Sequence, residues 1–103
     1  MSTRSEPPGG VVAQIAQEAV ELVTGARRER YGPAEKNFER TARFWTAYLQ
    51  NVGKDVTITA RDISPMMRLL KEARLCKTPG DYDSLVDLIG YTLTGAEREG
   101  AKK

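Results

Sequence analysis

Apolar residues return every three or four positions along most of this chain, which is the period of an amphipathic helix. In VVAQIAQEAVELVTGARRER the repeat is carried by Val12, Ile15, Ala16, Ala19, Val20, Val23 and Ala26. The pattern fades at RERYGPAE, where Gly32-Pro33 makes a turn and Pro33 suits the first turn of a following helix. The second helix, PAEKNFERTARFWTAYLQNVG, places Phe38, Ala42, Trp45 and Leu49 on one stripe, with Gly53 as its C-terminal stop. A third starts near Thr59, with Asp62 three residues on in a capping box. Pro65 removes a backbone donor inside it and predicts a local kink. Its inward positions are expected at Ile63, Met66 or Met67, Leu70 and Ala73. KTPGDYD ends that helix, and Asp81 or Asp83 can cap the fourth, DSLVDLIGYTLTGAERE. This last segment is apolar almost all round, the mark of a buried helix. Only DVTITA alternates as a strand would. The pattern predicts an all-α, four-helix bundle-like domain over residues 11–99, with disordered ends at 1–10 and 100–103.

Composition narrows the chemistry. The chain has 103 residues and a formal net charge of +2, from 16 basic against 14 acidic residues. That balance makes no case for a nucleic-acid partner. A domain this short buries roughly 65% of its unfolded surface, so association would help it. Histidine is absent, which removes imidazole bases and ligands together. The single cysteine, Cys76, fits a reducing cytosol and is expected in the core as a small apolar residue. A metal here would be held by oxygen, which favours magnesium or manganese. MSTRSEPPGG has no apolar run, so neither a signal peptide nor a membrane span is expected, and a cytoplasmic location is.

The candidate chemistry lies on the last two helices. Asp83, Asp87 and Tyr91 follow one another at four-residue spacing along one face. A carboxylate inside a buried helix is costly unless it is paired or metal-bound, and Lys71 and Arg74 on the preceding helix are the obvious partners for Asp87. Gly90, in mid-helix, suggests a close approach of a helix or a ligand. Glu18-x-x-Glu21 and the pair Glu35 and Glu39 are further acidic spacings, read first as solvated charge.

RERYGPAEKNFERTARFWTAYL, ITARDISPMMRLLKEARL and DYDSLVDLIGY resemble a family of small phage-encoded helical proteins of unassigned role. More loosely, these segments are similar to the all-α nucleoside-triphosphate pyrophosphohydrolases of the MazG type. In those enzymes Glu-x-x-Glu on one helix and Glu-x-x-Asp on a later one bind magnesium, which bridges the phosphates and activates water. Asp87 and Tyr91 match the second motif, whereas Ser84 stands at its glutamate and Lys71-x-x-Arg74 stands where Glu-x-x-Glu is expected.

The resemblance implies a MazG-type fold, a homodimer or homotetramer, and a nucleotide or other phosphorylated small molecule as ligand. In the hydrolase reading, Asp87, Asp83 and Glu72 hold Mg2+ or Mn2+. Asp87, Lys71 and Tyr91 act on the phosphates, which Lys71, Arg74 and Arg30 bind. Tyr31 and Trp45 stack the base and Asn37 bonds its edge. Such an enzyme would release a nucleoside monophosphate and pyrophosphate in a bacterial host's cytosol. A second reading is a non-catalytic nucleotide-binding protein on the same fold, with Lys71 and Arg74 gripping phosphate. A third is a structural oligomeric adaptor in which Asp87, Lys71 and Arg74 form a buried ionic network.

Overall fold

The computed structural model describes residues 9–25 and 34–103. Four helices cover most of them: α1 Gly10–Thr24, α2 Ala34–Asn51, α3 Ala60–Lys77 and α4 Tyr82–Arg98. No strand occurs among the described residues, and the alternating segment DVTITA leads into α3 as irregular chain. None of the helices among the described residues is long and apolar enough to cross a membrane. Arg27, Arg28, Arg30 and Tyr31 lie outside the described residues.

The helix ends follow local chemistry. Gly53 takes φ 87°, a left-handed conformation that glycine adopts without penalty. With it the Lys54 N–H reaches back to the Leu49 carbonyl at 2.8 Å and closes α2. At the start of α3, Asp62 Oδ2 accepts the Thr59 N–H at 2.9 Å and its hydroxyl at 3.2 Å. The helix therefore begins where the capping pattern placed it, and it continues through Pro65 to Lys77. Of the two aspartates that could cap α4, Asp81 does so. Its carboxylate accepts the Ser84 N–H at 3.0 Å and the Ser84 hydroxyl, while Asp83 is exposed in the first turn.

α4 packs against both α1 and α3, and α3 packs against α2, so α4 is the central helix, although only Ser84, Val86 and Gly90 of it are buried and it is not enclosed on all sides as expected. Phe38, Ala42, Ala60 and Ile63 form the buried cluster between α2 and α3, with Trp45, Ile58, Met67 and Tyr91 packed around it. Ala19 and Val86 are buried on α1 and α4. Thr46 ties the loop before α3 to α2, accepting the Ile58 N–H at 2.7 Å and donating to the Ile58 carbonyl at 3.1 Å.

The expected inward faces of α3 and α1 are corrected in part, and the choice between Met66 and Met67 is resolved. The inner face of α3 runs through Ala60, Ile63, Ser64, Met67 and Lys71, which leaves Leu70, Ala73 and Cys76 exposed. Met67, not Met66, is the inward methionine. On α1, Val12 and Val20 face outward while Ala19 is fully buried.

The close helix approach also lies elsewhere than at Gly90. A Cβ built there would meet only Leu22 Cδ1 and Val23 Cγ1 at 4.0 Å, ordinary contact. At Gly95 it would stand 2.6 Å from Ser64 Oγ and 3.2 Å from Ser64 Cβ. Gly95 is thus where α3 and α4 come together. Ser64, itself buried, bonds the Tyr91 carbonyl at 2.6 Å one turn before that glycine.

Candidate functional site

A cleft of about 570 Å³ opens between the helices, within the usual range for a small-molecule site. α1 contributes Leu22 and Val23 to its wall, and α2 contributes Ala34, Asn37, Phe38, Thr41 and Trp45. Ile63, Met67 and Lys71 come from α3, and Asp87, Gly90, Tyr91, Thr94 and Glu97 from α4. The lining is mostly apolar, with few charges. Helical spacing explains the alignment: Ile63, Met67 and Lys71 are successive i, i+4 positions, as are Asp87 and Tyr91.

The structure brings together five of the candidate residues: Lys71, Asp87, Tyr91, Asn37 and Trp45. Trp45 and Tyr91 serve the core and the cleft at once, because both pack on the Phe38 cluster and both line the opening. Lys71 Nζ lies 3.0 Å from Asp87 Oδ2, with the two side chains 15% and 33% exposed. Asp87 is thus paired with the neighbouring helix, but it is partly exposed and not enclosed in a buried helix. Lys71 and Asp87 form a neutral unit. The repulsion of a divalent cation by an ammonium at about 4 Å is roughly 8 kcal/mol at an effective dielectric of 20, and it offsets the attraction of the lone carboxylate.

The other candidates stand apart. Glu72, Arg74 and Asp83 are exposed and do not line the cleft. Arg74 acts instead on Asp81, whose carboxyl is held below its ordinary value chiefly by the Ser84 hydroxyl and N–H, with smaller help from the Arg74 and Lys71 charges. Ser84, at the motif's glutamate position, is 1% exposed and spends its hydroxyl on Asp81. No group of three or more acidic or cysteine side chains arranged to hold a metal occurs among the described residues. The other acidic spacings tie helices together. Glu18 accepts the Tyr82 hydroxyl, a bond that raises the phenol above its ordinary value. Glu35 takes Arg98 through Nε at 2.6 Å and through a second nitrogen at 3.3 Å.

A family profile described as a domain of unknown function, DUF6378, matches residues 14–99. The chain belongs to that family. This DUF6378 chain is similar to the Gene 55 protein of Mycobacterium phage L5, 39% identical over 77 residues, covering 75% of the chain and 47% of that relative. It is also similar to the Gene 55 protein of Mycobacterium phage D29, 34% identical over 77 residues, 75% of the chain and 48% of that relative. The chain therefore spans about half the length of the curated relatives it matches. No solved structure matches it. These findings agree with the resemblance to small phage proteins of unassigned role, while the likeness to pyrophosphohydrolases rests on the motifs alone.

Sequence reasoning missed part of the DUF6378 cleft: the Leu22–Val23 wall, the hydroxyls of Thr41 and Thr94, and Glu97 at the far end of α4. Thr41 and Thr94 were within reach of the pattern, since Thr41 follows Asn37 by one turn and Thr94 is three residues beyond Tyr91. Leu22 and Val23 were not, because only the packing of α1 on α4 turns them toward the opening.

Proposed function

We propose that this chain binds a nucleotide, or a phosphorylated molecule with a similar planar body, in the cleft between its helices, as a binding protein and not as a metal-assisted pyrophosphohydrolase. One observation carries the reading: a mostly apolar cleft of about 570 Å³ is lined by Lys71 and by two aromatic side chains, Trp45 and Tyr91. A planar apolar body suits the aromatic wall, where stacking of a base is worth roughly 1–3 kcal/mol. A phosphate suits the lysine. Hydrolysis through a carboxylate-held metal has less support, because Glu72 and Asp83 are exposed outside the cleft and Lys71 is paired with Asp87.

The test is a thermal-shift panel of nucleoside mono-, di- and triphosphates with Mg2+, with pyrophosphate release followed in parallel. A ligand at 100 times its Kd stabilises the folded state by roughly 2.7 kcal/mol, easily read as a rise in Tm. A shift without turnover supports binding. Turnover abolished by Asp87→Ala would replace the proposal with the hydrolase, and no shift across the panel at millimolar ligand would end both.

A further inference from the structure

We propose that the cleft takes the phosphate of its ligand directly on Lys71, without a divalent cation, the ammonium standing where the resembled enzymes hold their metal. This inference rests on the binding reading and adds to it the nature of the anion site.

The donor set does not fit the metal that the resemblance implies. A hard divalent cation needs several oxygen ligands about 2.0–2.6 Å away. Of the carboxylates among the described residues, only Asp87 and Glu97 line the cleft. Glu97 is ten residues further along the same helix, about 15 Å of helical rise, which is more than two acidic side chains and one ion span. Ser84 cannot join them, being buried with its hydroxyl on Asp81. That leaves one carboxylate, and an ammonium already sits 3.0 Å from it. A cation approaching Asp87 meets a neutral pair and not an anion.

The same pair is well arranged for a phosphate. Lysine carries three N–H donors. The Asp87 carboxylate, 3.0 Å away, attracts the ammonium and sets the direction of a long, flexible side chain. Among the described residues the ammonium has no other ion-pair partner, so its N–H donors can turn to phosphate oxygens. Lys71 is also the better sheltered partner, with 15% of its side chain exposed against 33% for Asp87. A charge-assisted bond to it forms where water competes less. Asp87 is therefore a positioning residue for Lys71, and it would not touch the ligand's metal because there is none to touch.

The experiment compares one ligand in two buffers. The nucleotide giving the largest shift in the panel is titrated into the full chain in EDTA and again in excess Mg2+, and Mn2+ alone is followed by electron paramagnetic resonance. The expected result is the same Kd within about twofold in both buffers and no bound Mn2+. Lys71→Met should weaken the nucleotide at least tenfold. Because that substitution leaves Asp87 unpaired, Lys71→Met with Asp87→Leu is tested beside it: replacing an ion pair by apolar residues commonly preserves the fold, and this variant should lose the nucleotide as well. Binding that appears only with Mg2+, or bound Mn2+ released by Asp87→Asn, overturns the inference and leaves the binding reading standing. EDTA-insensitive binding that survives in both Lys71 variants also overturns it. No binding in either buffer defeats the binding reading itself and this inference with it.

Discussion

Two alanine substitutions in the same helix, five residues apart, should move stability in opposite directions. At Gly90 a methyl group meets only Leu22 and Val23 at 4.0 Å, so Gly90→Ala retains the helix-propensity gain of about 1 kcal/mol. At Gly95 the methyl lands 2.6 Å from Ser64 Oγ and 3.2 Å from its Cβ. Overpacking of this kind costs about 1–3 kcal/mol. Turning the Ser64 hydroxyl away also gives up its 2.6 Å bond to the Tyr91 carbonyl, a loss of about 1 kcal/mol. Subtracting the same propensity gain, Gly95→Ala should be destabilised by about 1–3 kcal/mol. For a domain of this size each kcal/mol moves Tm by roughly 4–8 °C, so urea and thermal unfolding will separate the two variants clearly. Ser64→Ala added to Gly95→Ala should recover part of the loss, since the Oγ contact goes while the approach to Cβ remains. Equal stabilisation by the two alanines, or no coupling with Ser64, would refute the assignment of the α3–α4 crossing to Gly95. Gly90→Ala has a second readout. Its methyl enters the cleft wall, so a more stable protein that binds nucleotide more weakly is expected.

Two further outcomes follow from single features. The Asp81 carboxyl is held below its ordinary 3.8 in the folded state, so the stability it contributes is complete above that value and is lost as pH falls through the lowered one; Asp81→Ala should lower Tm by a few degrees at pH 7, and a gap that does not close below about pH 3.8 would show that the cap is not its cause. Phe44 and Tyr48 on α2, Val52 in the turn after it, and Met66, Leu69 and Leu70 on the neighbouring α3 are between 37% and 70% exposed, on the order of 700 Å² at about 200 Å² per large side chain, close to the ~800 Å² each partner gives a standard interface; we expect a second copy to cover them, so sedimentation should find an oligomer that Phe44→Ser with Leu69→Ser converts to monomer, and a monomeric parent protein would refute it.

The helices were legible because their signals are local. Gly53 ends α2, the Thr59–Asp62 pair opens α3, and the aspartate of the GDYD turn opens α4. Each is fixed within a few residues, and the 3.6 period between them needs no tertiary information. Which side of a helix faces inward was less legible, and α3 shows why. Met66-Met67 and Leu69-Leu70 make it apolar on two sides, so Ile63, Met66, Leu70, Ala73 and Ile63, Met67, Lys71 both satisfy the spacing. The second set ends on a lysine, which hydrophobicity alone directs to solvent. The structure turns it inward because Asp87 waits there. An ion pair across two helices thus overrode the apolar count, and no pattern confined to one helix contains it.

The same cross-helix term decides how the motif is read. Asp83, Asp87 and Tyr91 look equivalent when only spacing is considered, yet each step of four residues advances 400°, a drift of about 40° around the helix. Asp83 stands two such steps, about 80°, from Tyr91 and faces solvent, while Asp87, between them, and Tyr91 stay over the cleft. Capping pulls in the same direction: Asp81 holds Ser84 inside and leaves Asp83 free to face the water at the positive end of α4. Two carboxylates a turn apart are therefore a ligand pair only where the helix start does not already employ one of them. Here the first turn uses its acids for the helix, and of the two carboxylates that line the cleft among the described residues Asp87 is matched by Lys71, while Glu97 lies at the far end of α4. The charge at the Asp87 end of the cleft is consequently set by a one-to-one pair, and any preference for an anion there must come from the N–H donors of Lys71.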